Sequence, residues 1–273
     1  MEKKTETKIN PNVIYNLLNM SYFMYVSYLR KKYGGIKESY ASISNFGDII
    51  INENINKENE GLYIHHVHEY YIPNLNSKSN INLYPQYQEG KSLVYCNLLE
   101  YLLLFIKIKN ETSTKVDKMY KIIIPKLNDI YSGINYTNNK DKEIALLVKD
   151  KKELYLSCLL SLNIRKKGDC DKILTSSRSN RKYGWSIKNN EEFFNEIKRY
   201  LKYDKMKGFS NQEKMPDGPL NFLEKIKKAK ESEETLEKNF KFLDVRKLVG
   251  IALGIFIAIL IIIVIAIVAT KKV

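Results

Sequence analysis

Cysteine is scarce in this 273-residue chain: Cys96, Cys158 and Cys170 are the only three, and no two have C-x-x-C spacing. That excludes a zinc ribbon and a disulfide framework, and it suits a reducing compartment. Histidine is equally rare, and all three, His65, His66 and His68, lie within one four-residue stretch. Arginine supplies only six of the 45 basic residues, so the formal net charge of +14 is mostly a lysine charge. Lysine, asparagine, isoleucine and tyrosine, all abundant here, share A/T-rich codons. The excess therefore implies solubility and attraction to anionic surfaces, including weak nucleic-acid binding, before any specific partner. No fixed-period repeat and no long low-complexity tract is present, which excludes a solenoid. Met1 to Glu6 carries charges with no apolar run behind it, so no secretory signal is expected at that end.

What is present is enough apolar material for one good-sized domain, at 44% hydrophobic residues. Part of it is concentrated in Leu248–Thr270, which contains no charge. At 1.5 Å per residue this run reaches about 34 Å, enough to cross a hydrocarbon core of about 30 Å. A C-terminal transmembrane helix over 248–270 is expected. Six basic residues between Lys228 and Lys247 precede it and two follow, so the charge bias predicts a cell-membrane protein with its N-terminal body in the cytoplasm.

The remaining organisation follows from periodicity. Residues 1–12 are polar and expected to be disordered. A globular body is expected over 13–203, and a linker with a charged juxtamembrane helix over 204–247. Apolar spacings of three and four predict a helix from Val13 to Tyr33 that stops at Gly34-Gly35. Further helices are predicted over Leu93–Ile108, Leu127–Gly133, Asp141–Ile164 and Asn190–Tyr203. Residues 36–60 read as a loop interrupted by Ile49–Ile51, and Ser176–Trp185 as a basic loop pinned by the only tryptophan. The fold class is α+β: a mostly α-helical body with a small ββα element, plus the membrane helix.

The ββα expectation comes from residues 61–109. His65 and His66 follow the apolar run Leu62-Tyr63-Ile64, and about thirty residues later comes LVYCNLLEYLLLFIKI, from Leu93 to Ile108. This layout resembles the ββα-metal fold of HNH nucleases. The wording is similar to uncharacterised bacterial proteins that carry IHHI followed by LVYCNLLEHLLLHIKI. The resemblance extends over roughly residues 13–200. It implies that the first histidine, His65, binds a divalent metal (Mg or Zn) and that the second, His66, acts as general base. It also implies that the helix offers further ligands one turn apart, at Tyr101 and Phe105.

Both helix positions are aromatic here. A phenol with an ordinary pKa near 10 is a poor ligand for these ions, and a hydrocarbon ring is no ligand. The motif is thus degenerate, and no cofactor is expected. A pseudoenzyme follows: a membrane-anchored, non-catalytic binding or interaction protein with an HNH endonuclease-like domain, its protein partner unknown. The alternative is an active, metal-dependent HNH-type DNA endonuclease with altered ligands. A rotated helix would offer Cys96 and Glu100 to zinc together with His65 and His68, with Glu69 close by.

Overall fold

The computed structural model describes residues 11–112, 114 and 116–206. In chain order the elements are α1 (Pro11–Asn19), α2 (Tyr22–Tyr33), β1 (Ala41–Ile43), β2 (Ile49–Ile51), β3 (Tyr63–His66) and α3 (Lys78–Leu83). Then come β4 (Leu93–Cys96), α4 (Leu98–Thr112), α5 (Ile124–Tyr131), α6 (Asn139–Val148), α7 (Lys152–Ser161), α8 (Lys167–Asp171) and α9 (Glu191–Tyr200). These residues are mostly helical with two small antiparallel sheets, β1 with β2 and β3 with β4, an α+β arrangement. The expected membrane helix and juxtamembrane segment lie outside the described residues, as does the expected disordered terminus except for 11 and 12. Among the described residues no helix is long and apolar enough to cross a membrane.

The single helix predicted over Val13–Tyr33 is two helices. Ser21 caps the second by accepting a hydrogen bond from the Met24 N–H. The end of the first is held from a distance: Lys107, buried in α4, donates its Nζ to the carbonyls of Leu18 at 3.1 Å and Met20 at 2.5 Å. Those are carbonyls that a helix end leaves without intrahelical partners.

The helix predicted over Leu93–Ile108 also divides. Leu93–Cys96 is a strand paired with β3, with Tyr63 opposite Cys96 and His65 opposite Val94. Asn97 then starts α4 through a capping box. Its Oδ1 accepts from the N–H groups of Leu99 and Glu100, both at 3.0 Å, and Glu100 Oε2 accepts from the Asn97 N–H at 2.9 Å. Every side chain from Leu98 to Ile108 is buried, because α2, α5, α6 and α7 all pack around α4. β3, β4 and α4 together form a strand-strand-helix element at the centre of the body.

Successive strand residues point to opposite faces, so this hairpin separates two cores. Tyr63, Val94 and Cys96 join the large cluster around α4, whereas Ile64, Leu93 and Tyr95 join a smaller one with Ile36, Ile55 and Leu62. The helix predicted over Asp141–Ile164 is interrupted at Lys149–Lys151, where Tyr131 donates to the Val148 carbonyl at 3.0 Å. Gly61, at φ +75°, stands where a Cβ would lie 2.9 Å from the backbone of Glu143. Its missing side chain lets α6 close onto the turn Glu58–Glu60.

The basic loop is anchored by more than its tryptophan. Fully buried Asp129 on α5 accepts from the Ser177 N–H at 2.9 Å, from Asn180 Nδ2 at 2.6 Å and from Asn190 Nδ2 at 2.6 Å. Trp185 Nε1 donates to Asn190 Oδ1 at 2.8 Å. A buried carboxylate with three donors of this kind is a satisfied structural knot.

Candidate functional site: a buried histidine centre

His65 lies on the face of β3 that meets α4, and its side chain is fully buried. Its ring meets the Tyr101 ring edge-on at 5.5 Å between centroids and the Phe105 ring at 5.7 Å. The two helix residues, one turn apart, lie 5.0 Å from each other. The structure therefore brings His65, Tyr101 and Phe105 into one cluster.

Both imidazole nitrogens face protein groups. Nε2 is 2.7 Å from the hydroxyl of Tyr22, which also lies 2.8 Å from the Val67 carbonyl. That hydroxyl has one hydrogen for two acceptors, so if it donates to Val67 then Nε2 must carry a proton and donate to Tyr22. On the other side Nδ1 is 3.4 Å from Glu69 Oε2, too long for a good hydrogen bond and attractive only when Nδ1 also carries a proton. Neither atom has another partner among the described residues.

Glu69 is itself buried, in the turn Val67–Tyr70 that follows β3. Burial raises its pKa, but contact with His65 and the charges of His65, Lys118 and His66 outweigh it, holding the carboxyl below its ordinary value. Lys118 reaches the cluster from beyond α4, donating to the Tyr101 hydroxyl at 2.5 Å. Burial, with Glu69 nearby, pushes the Tyr101 phenol well above its usual range, which keeps it neutral.

His66 points the other way. Its Nε2 lies 2.9 Å from Gln88 Oε1, and Gln88 is oriented by its own donation to the Leu75 carbonyl at 3.2 Å. The ring meets Tyr40 edge-on at 4.8 Å. Burial lowers its pKa to about 4, so it is neutral at pH 7. The expected metal ligand and the expected general base thus stand on opposite faces of one strand, and only His65 faces Tyr101 and Phe105.

Comparison with protein-family models, with curated proteins and with solved structures gave no match.

The rotated-helix zinc set does not assemble. Glu100 is held at the start of α4, where Lys32 Nζ at 2.5 Å and the Tyr33 hydroxyl at 2.7 Å donate to its carboxylate. Cys96 directs its thiol to the Tyr63 carbonyl at 3.8 Å, and burial raises its pKa well above normal. His68 stacks flat on Tyr87 at 4.0 Å between centroids. Among the described residues no group of three or more His, Cys, Asp and Glu side chains converges to hold a metal.

Sequence reasoning missed Tyr22 and Lys118, which come from segments 43 residues before His65 and 17 residues after Tyr101. Glu69 carried one signal, the four-residue spacing from His65 that the turn after β3 converts into a pair. Chemically, the Tyr22-His65-Glu69 row has the order hydroxyl, base, orienting carboxylate. It is enclosed, however, with each of the three at most 3% exposed.

Proposed function

We propose that this chain is a non-catalytic binding or interaction protein, built on a degenerate HNH-like ββα element and tethered to the cell membrane by residues 248–270 with its body in the cytoplasm. One observation carries the first half of the reading: both nitrogens of His65 face protein groups, and aromatic rings occupy the helix positions where ligands are expected. Hydrolysis of a phosphodiester by this type of element needs an ion to stabilise developing charge and a base on the same side of it. Here a single imidazole faces the helix, and His66 faces Gln88. The tether rests on the uncharged run Leu248–Thr270 and on the basic residues that precede it.

The test is cleavage of supercoiled plasmid by the purified full chain with Mg²⁺, Mn²⁺ or Zn²⁺. The reading expects no nicking above that of a His65→Ala/His66→Ala variant. Metal-dependent nicking that the double variant loses would establish the endonuclease instead.

A further inference from the structure

A second feature lies outside the histidine centre. A polar groove runs between the start of α6, the turn Glu58–Glu60, the first residue of β3 and the basic loop at 178–183. Three lysines line it, Lys126, Lys140 and Lys182, against two carboxylates, Glu58 and Asp141.

The carboxylate on its floor is largely engaged. Asp141 Oδ1 accepts from Lys126 at 2.7 Å, and Oδ2 accepts from Asn138 Nδ2 at 2.6 Å and the Tyr183 hydroxyl at 2.9 Å. Burial opposes its ionisation, yet these donors hold its pKa at about 2, so it stays ionised. A cation entering the groove would have to share that carboxylate with three donors already in place.

Hydrogen-bond donors, by contrast, are in excess. Lys126 is nearly buried, and besides Asp141 its ammonium meets the Tyr63 hydroxyl at a long 3.5 Å and lies over the Tyr136 ring at 6.0 Å from its centroid. Lys182 Nζ stands 4.0 Å from Asp141, beyond hydrogen-bond reach, with its side chain mostly exposed. Lys140 pairs with Glu58 at the rim, where solvent screens the pair and makes it exchangeable. The positive end of the α6 dipole points into the same space. Ammonium groups around a floor whose carboxylate is already largely engaged suit a compact anion with several acceptor oxygens.

We propose that this groove binds a phosphate group, held by Lys126 from below and by Lys140 and Lys182 at the rim. The assignment stands on the groove alone and does not depend on whether the histidine centre is catalytic. Free inorganic phosphate and a soluble phosphate monoester share this chemistry, and the experiment separates them.

The full chain is titrated calorimetrically with inorganic phosphate and, separately, with glycerol phosphate, in chloride buffer at constant ionic strength. One saturable site per chain is expected. Removing both rim cations with Lys140→Ala/Lys182→Ala weakens binding by at least about tenfold, since each charge-assisted contact contributes on that scale. The control pair Lys188→Ala/Lys205→Ala, which changes net charge equally, leaves it unaltered. Equal affinities would assign the groove to the free ion, and tighter ester binding would add recognition of the esterified body. The proposal is overturned if the wild-type chain shows no saturable binding of either probe, or if the control pair weakens binding as much as the rim pair. Because the first of those outcomes involves no variant, a misfolded mutant cannot hide it.

Discussion

At the scale of single residues, adjacent histidines have been given different surroundings by strand geometry alone. His65 faces Tyr22, Glu69 and the rings of α4, while His66 faces Gln88 and Tyr40. The consequence of burying His66 in neutral form is a pH dependence of stability. Its pKa is about 4 in the folded protein against an ordinary 6.5, so the unfolded chain takes up a proton that the folded chain refuses. Stability from this source is complete above pH 6.5 and is lost as pH falls toward 4, by up to about 1.4 kcal/mol per pH unit for one proton. Burial lowers His68 to about 4 as well, so it adds to the same window. Glu69 and Asp141, whose folded values are depressed, add their own losses only below the ordinary carboxylate range. Urea unfolding at pH 7 and at pH 5 should therefore show a clear loss for the wild-type chain and a smaller loss for His66→Gln. An equal loss in both would mean that His66 titrates normally.

At the scale of elements, the ends of helices depend on single polar side chains, some local and some distant. The Asn97-x-x-Glu100 box, which the reading of one helix over Leu93–Ile108 passed over, marks where β4 gives way to α4. Leu93–Cys96 was harder to read, because a strand buried on both faces shows no alternation and resembles a short helical run. Replacing Asn97 with Ala should cost about 1 kcal/mol by thermal or urea unfolding. The α1–α2 break was not legible, since Lys107 acts on Leu18 and Met20 across almost ninety residues of chain. Lys107→Met keeps the apolar stem but strands two carbonyls, so a loss of about 1–3 kcal/mol is expected. A loss within a few tenths would show that water replaces the ammonium.

At the scale of the whole molecule, the helical character followed from apolar periodicity, whereas the pair β1 and β2 lies in a stretch that read as a loop. The meeting of His65 with the α4 rings was expected from the resemblance to HNH nucleases, which sets a helix against the first histidine. What the sequence left unread were pairings across long separations, above all Tyr22 with His65 and Asp129 with the loop around Asn180. Such contacts have no local pattern, because each partner looks like an ordinary polar or aromatic residue within its own segment. The same holds for the lysine groove, whose walls come from four separate stretches of chain.

Packing and hydrogen bonding around His65 stand where an HNH-like element would hold its ion. Metal stoichiometry of the purified full chain, measured by mass spectrometry after equilibration with Mg²⁺, Mn²⁺ and Zn²⁺ and removal of excess, tests it most directly. No bound metal that depends on His65 is expected, so that the wild-type chain and His65→Ala give the same value. About one equivalent in the wild-type chain, lost on His65→Ala while the protein stays folded, would contradict it.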